Sequence, residues 1–135
     1  MGNHVETTVR VRFADTDADG GVYFANYLTF FSGARHDLFR EVGINLRRLA
    51  DEDGQRLLGV EVNCRFRSMA YFDDLLTVRV RVERLGNTSL AFSFEIVRPD
   101  ENGETLIATG GTTQVVVDRQ NKPVTIPPWM REALS

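Results

Sequence analysis

From Val5 to Phe13, apolar and polar positions alternate. Val5, Thr7, Val9, Val11 and Phe13 point one way, and Glu6, Thr8, Arg10 and Arg12 the other. A period of two predicts a half-buried strand. The period changes after an acidic, glycine-ended stretch. From Val22 to about Val42, Tyr27, Phe31, Ala34, Leu38 and Val42 recur at helical spacing, and Leu28, Phe30 and Phe39 widen the stripe. Such a helix is about 30 Å long at ~1.5 Å per residue and apolar enough to be buried on most sides. Gly33 beside Ser32 predicts a close approach there by a ligand or a partner helix. Gly43 ends the helix as the left-handed residue after its last turn, and Ile44 to Ala50 reads as a short second helix.

Alternation then returns in four segments. In Leu57–Phe66, Leu58, Val60, Val62, Cys64 and Phe66 share one face. In Asp74–Leu85, Leu76, Val78, Val80 and Val82 face in; in Ser89–Val97, Leu90, Phe92, Phe94 and Ile96 do. Glu104–Val117 is the last strand, and Gly110-Gly111 inside it predicts a bulge or a close backbone approach. Gly86-Asn87 and Pro99–Gly103 are turns. After Asp118–Lys122, Pro123, Pro127 and Pro128 forbid regular pairing, and Trp129–Leu134 reads as a closing helical turn. The expected class is α+β: a curved antiparallel five-stranded sheet whose apolar face has only the 22–42 helix to cover it.

Composition narrows the function classes. A chain of 135 residues is expected to form one domain spanning 1–135. The formal net charge of −3 gives no support for nucleic-acid binding. No apolar run approaches the ~18 residues of a membrane span. Met1–Glu6 lacks a signal-peptide core, and Met1-Gly2 lacks the myristoylation spacing. Cys64 is the only cysteine, which excludes an intrachain disulfide and a cysteine-based zinc cluster and fits a reducing, cytoplasmic setting.

The candidate chemistry lies between the first strand and the helix, in Asp15-Thr16-Asp17-Ala18-Asp19-Gly20-Gly21-Val22-Tyr23-Phe24. An aspartate is ionised at neutral pH, and Asp17 can attack a carbonyl or take a proton from water. The opening N–H groups of a helix lack partners and favour a developing oxyanion; those near Tyr23 and Phe24 are the candidates. Gly20 and Gly21 let substrate approach the backbone. The same residue types also serve as ordinary caps and turns. Asp15, Asp17 and Asp19 alternate like a calcium loop, but no Glu stands at the twelfth position, and position 26 is Asn. No metal site is therefore expected. His4, near the terminus, reads as mobile and His36, mid-helix, as structural. Asp73-Asp74 reads as a solvated turn. Arg65 and Arg67, near Tyr71-Phe72, are candidates for a rim that binds phosphate groups.

Asp15, Asp17, Gly20, Asn26 and Tyr27, with Ala34-Arg35 beyond, resemble the loop-helix motif of the 4-hydroxybenzoyl-CoA thioesterase family of hotdog-fold proteins. The resemblance implies an acyl-CoA thioesterase that takes no cofactor beyond the CoA of its substrate. It assigns the catalytic carboxylate to Asp17 and the polarising backbone N–H to Phe24. Tyr23, Phe24 and Tyr27 would wall the acyl pocket. It also implies a homodimer with sheets joined edge to edge, often paired again into a homotetramer, with sites built from both chains. The sequence departs from the family at Phe24, where His or Tyr is common, at Ser32, where an acid is common, and at Asp19, where a small residue is common. Two alternatives stay open: a non-catalytic acyl-CoA-binding module, and a hydratase or dehydratase, which would need a histidine base.

Overall fold

The computed structural model describes residues 4–135; the readings made at Met1–Asn3 lie outside the described residues. The elements are β1 (His4–Arg10), α1 (Asn26–Glu41), α2 (Leu46–Asp53), β2 (Arg56–Phe66), β3 (Leu75–Leu85), β4 (Ser89–Asp100), β5 (Gly103–Val117) and α3 (Pro128–Leu134). The five strands form one sheet in the order β1-β3-β4-β5-β2, with every neighbouring pair antiparallel. β1 and β2 are therefore its edges. His4 is not loose: it opens β1 opposite Arg81.

The core lies between α1 and one sheet face. The expected inward residues of β3 and β4 are there: Leu76, Val78 and Val80, then Leu90, Phe92, Phe94 and Ile96, all buried. From α1, Phe31 stacks on Phe94 at 4.6 Å and Phe39 meets Phe92 edge-on at 5.6 Å. Gly110 makes the first contact feasible. A Cβ there would stand 2.7 Å from the Phe31 ring and 2.3 Å from the Asn63 carbonyl. Gly110 and Gly111 stay in register with both neighbours, so of the two expectations it is the close approach that occurs.

Three differences from the sequence reading follow from backbone bonding. First, β1 stops at Arg10, and Phe13–Asp15 forms a turn of 3-10 helix. That turn swings Phe13 outward to 78% exposure, edge-on to Phe72. Second, α1 begins at Asn26 rather than Val22. Val22 donates to the Ala70 carbonyl and Tyr23 to the Asp15 carbonyl, both at 2.9 Å; Gly21 and Val22 lie in short lateral bridges, and Tyr23 is tied back to the hairpin. Third, Leu58, Val60, Val62 and Phe66 are 37–55% exposed. α1 packs toward β1 and β3 and covers β2, at the far edge, only in part: Leu57 and Cys64 pack on the core and Phe66 meets Tyr27. The five β2 residues expected on one face also do not share it. A register shift between Gly59 and Glu61 inserts Val60 as an extra residue, so Leu57, opposite Val116, joins Val62, Cys64 and Phe66 on the inner side, and Leu58, opposite Val115, turns outward. A Cβ at Gly33 would meet nothing within 4 Å among the described residues beyond its own helix backbone, so the expected close approach does not occur within the chain.

On the outer sheet face, Arg79 bonds Glu6, Glu95 and Glu104 at 2.7–2.9 Å. These contacts hold its pKa above the usual arginine range. The charged face is thus an ion-pair network.

Candidate active site

The acidic loop is a braced hairpin. Asp15 is 4% exposed. Its carboxylate accepts the Arg12 N–H and Nη2 at 2.8 Å each. Those bonds to Arg12 hold its pKa below the usual carboxylate range, against the opposing effect of burial. The Asp15 carbonyl accepts the Tyr23 N–H at 2.9 Å and the Asn26 side-chain amide at 2.8 Å. Thr16 bridges Val22, and Asp17 donates its N–H to the Gly21 carbonyl at 3.0 Å. Gly20 closes the tip at φ +90° with no atom within 4 Å of a Cβ, so its absent side chain serves the backbone conformation. At Gly21 a Cβ would meet the Met69 methyl at 2.1 Å.

Asp17 is exposed. One carboxylate oxygen accepts the Asp19 N–H at 2.9 Å; the other meets no donor among the described residues. Two amides open the helix without acceptors among the described residues: those of Phe24 and Ala25. Ala25 occupies the cap position and offers no side-chain acceptor, and the next amides bond back to Tyr23, Phe24 and Ala25. The Tyr23 N–H is committed to Asp15 and leaves the candidate clamp.

The aromatic residues divide. The rings of Tyr23 and Phe24 are 4.9 Å apart, and Phe24 meets Phe66 edge-on at 6.3 Å. All three are 46–61% exposed. Tyr27 is core at 2% exposure. Its hydroxyl accepts the Ala70 N–H at 3.3 Å, burial pushes its pKa up, and it reaches the site only through Phe66, 5.5 Å away. The structure does not bring Arg65 to Asp17. Arg65 lines a groove on the outer sheet face with Arg79 and Arg81, whereas Phe66, its neighbour, faces the helix. Arg67 is exposed just beyond β2. His36 is half-buried in the middle of α1, and burial lowers its pKa. Among the described residues no cluster of three or more His, Cys, Asp or Glu side chains stands ready for a metal.

Sequence reasoning underrated Asp74. Its carboxylate accepts the Tyr71 N–H at 2.8 Å and Arg98 at 3.0 Å, and Arg98 also bonds the Met69 carbonyl at 2.9 Å. This latch holds the 69–71 platform, whose Ala70 and Tyr71 bond Val22 and Gly21. The signal available was Asp before a strand, three residues after an aromatic, which suits a side chain that closes a turn.

In one chain Asp17 and Phe24 are exposed and Ala25 is half-buried. Among the described residues, the grooves on the outer sheet face, between α1 and β2, and at the end of α1 are lined by other residues, which leaves these groups facing any second surface.

A curved sheet with one helix across it and an acidic hairpin at the helix opening is the arrangement of hotdog thioesterases. The thioesterase-like superfamily matches residues 11–134, and the chain belongs to it. It is 30% identical to the acyl-CoA thioesterase YbgC of Haemophilus influenzae, over 98% of this chain and 96% of that protein. It is 30% identical to the 1,4-dihydroxy-2-naphthoyl-CoA hydrolase of Thermosynechococcus vestitus, over 91% of this chain and 86% of that one. A crystal structure of a 4-hydroxybenzoyl-CoA thioesterase mutant in complex with 4-hydroxybenzoyl-CoA superposes with a TM-score of 0.91, covering 98% of this chain and 99% of that one. At 21% identity that likeness shows the fold.

Proposed function

We propose that the chain hydrolyses acyl-CoA thioesters to a free acid and CoA, as the names of its relatives say of them. The observation that carries this reading is the uncapped start of α1. Phe24 and Ala25 offer two unengaged N–H donors, and a hairpin bonded to the same segment presents Asp17 with an unengaged oxygen. The thioester oxygen would accept from the Phe24 N–H, with Ala25 beside it, and gain most as it becomes an oxyanion. One such donor is typically worth 10²–10³ in rate. Asp17 either attacks the carbonyl carbon, expelling CoA thiolate and leaving an anhydride that water cleaves, or takes a proton from the water that attacks. Both routes consume one water and need no further cofactor. Tyr23, Phe24 and Phe66 supply an apolar wall, and Gly20 keeps the hairpin tip open. Arg65 and Arg67 would serve CoA phosphates at the sheet rim, away from the chemistry. His36 lies too far along α1 to be a hydratase base at the helix opening.

The second surface is another copy of the chain. β2 has an unpaired edge and exposed Leu58, Val60, Val62 and Phe66, which favours self-pairing. Two-fold antiparallel pairing of β2 joins two sheets into one of ten strands and sets the Phe66 end of one strand beside the Arg56 end of the other. The assembly is a homodimer, or a homotetramer of two such pairs, working in the cytoplasm; the lone Cys64 suits that compartment.

Thiol release from short, medium, long and aromatic acyl-CoAs tests the reading. Asp17→Asn is expected to lower kcat by about 10²–10⁴ on the best substrate. Wild-type turnover by that variant would overturn the assignment.

A further inference from the structure

Between α1 and the edge strand β2 runs a groove of about 670 Å³. Most of the core is apolar, but this groove has a polar floor. Thr112 and Gln114, 9% and 6% exposed, lie on it, and the Thr112 hydroxyl donates to the Gln114 side-chain oxygen at 3.3 Å. Arg35 enters from α1. Its Nε is sealed from solvent with no acceptor, and no ion pair or hydrogen bond holds its guanidinium among the described residues. Its helix neighbours one turn away are Phe31, Ser32, Leu38 and Phe39, none able to neutralise it. The adjacent carboxylate, Asp37, is paired with Arg40. Glu61 lines the same groove and forms no ion pair with Arg35. Arg35 is half-buried, and a partly desolvated guanidinium with a sealed, unpaired Nε is costly; its planar fork suits a carboxylate. Burial accordingly pushes its pKa down.

The self-pairing of β2 proposed above would set the Arg56–Val62 wall of this groove beside the Phe66 end of a second copy, and Phe66 packs on Phe24 in its own chain. The groove of one copy would then face the helix opening of the other. We propose, resting on the thioesterase reading above, that this groove receives the far end of the acyl group and that Arg35 pairs there with a terminal carboxylate. The preferred substrates are then ω-carboxyacyl thioesters, mono-CoA esters of dicarboxylic acids.

The test compares matched pairs: succinyl- with butyryl-CoA, glutaryl- with valeryl-CoA, and adipyl- with hexanoyl-CoA. The expected result is a wild-type kcat/KM ratio above ten in favour of the carboxylated member at the best length. That ratio should fall at least tenfold in Arg35→Met and by less in Arg35→Lys, which keeps the charge. Calorimetric binding of the same pairs to Asp17→Asn, with and without Arg35→Met, reads the selectivity without chemistry. If no thioester is hydrolysed but binding keeps the carboxylate preference, the catalytic reading fails and this inference stands. A wild-type ratio of one or less at every length, or a ratio unmoved by Arg35→Met, overturns the inference. So does a dimer that dissociates on Arg35→Met without prior carboxylate preference, which would show that a partner carboxylate satisfies Arg35.

Discussion

Asp15 and Asp17 are two positions apart and have opposite surroundings. Asp15 is sealed by Arg12 and fixes the hairpin; Asp17 stands free at its tip. The motif spacing made both legible as acids but did not separate them, because the separation depends on the 3-10 turn that folds Asp15 back onto the Arg12 backbone. Asp15→Asn keeps the shape but loses the ion pair, and is expected to cost about 1–3 kcal/mol, read from chemical denaturation at neutral pH. Because the folded-state pKa of Asp15 is depressed, its stabilisation is fully present above the unfolded carboxylate range. It is lost as pH falls through the lower folded value. The gap between wild type and Asp15→Asn should therefore narrow on acidification; a gap that widens would contradict the ion pair as its source.

At the scale of elements, the central strands were readable because both neighbours and the helix enforce one inward face. The inward faces of β3 and β4 are those the alternation gave. β2 departs from its alternation for two reasons: the bulge at Val60 turns Leu58 to the opposite face from Val62, Cys64 and Phe66, and alternation says nothing about whether the same chain covers a face. α1 starts four residues later than its periodicity suggests because Val22 is tied to Ala70, far along the chain, and Tyr23 back to Asp15 across the hairpin, and neither bond leaves a signature in the apolar spacing. Those bonds also explain why the free amides fall at Phe24 and Ala25. The contact between α1 and the sheet depends on Gly110. Gly110→Ala would push a methyl into the Asn63 carbonyl and the Phe31 ring, neither of which has room to yield. Overpacking of this kind typically costs about 1–3 kcal/mol, so a lower denaturation midpoint with an unchanged denaturant slope is expected. An unchanged midpoint would mean that Phe31 is not seated as described.

At the scale of the whole molecule, the hairpin that carries Asp17 is braced by bonds within its own chain, from Arg12, Gly21, Tyr23 and Asn26 and from the Ala70–Tyr71 platform. The aromatic wall and the α1–β2 groove, by contrast, are open to solvent in one chain. Loss of self-association should therefore leave the hairpin intact and still remove activity. Val62→Asp tests this, because Val62 lies on the free edge strand at 51% exposure and touches no part of the hairpin braces. Two such carboxylates brought together near the two-fold axis repel, and burying either one unpaired is costly. The expected outcome is a monomer by light scattering, with thermal stability lowered by no more than the lost association explains. Thiol release should fall at least a hundredfold at concentrations where the wild type is associated. A monomer that retains wild-type kcat/KM would show that one chain encloses its own substrate, and the shared site would have to be abandoned. A variant that stays dimeric at full activity would instead exclude the β2 edge as the seam.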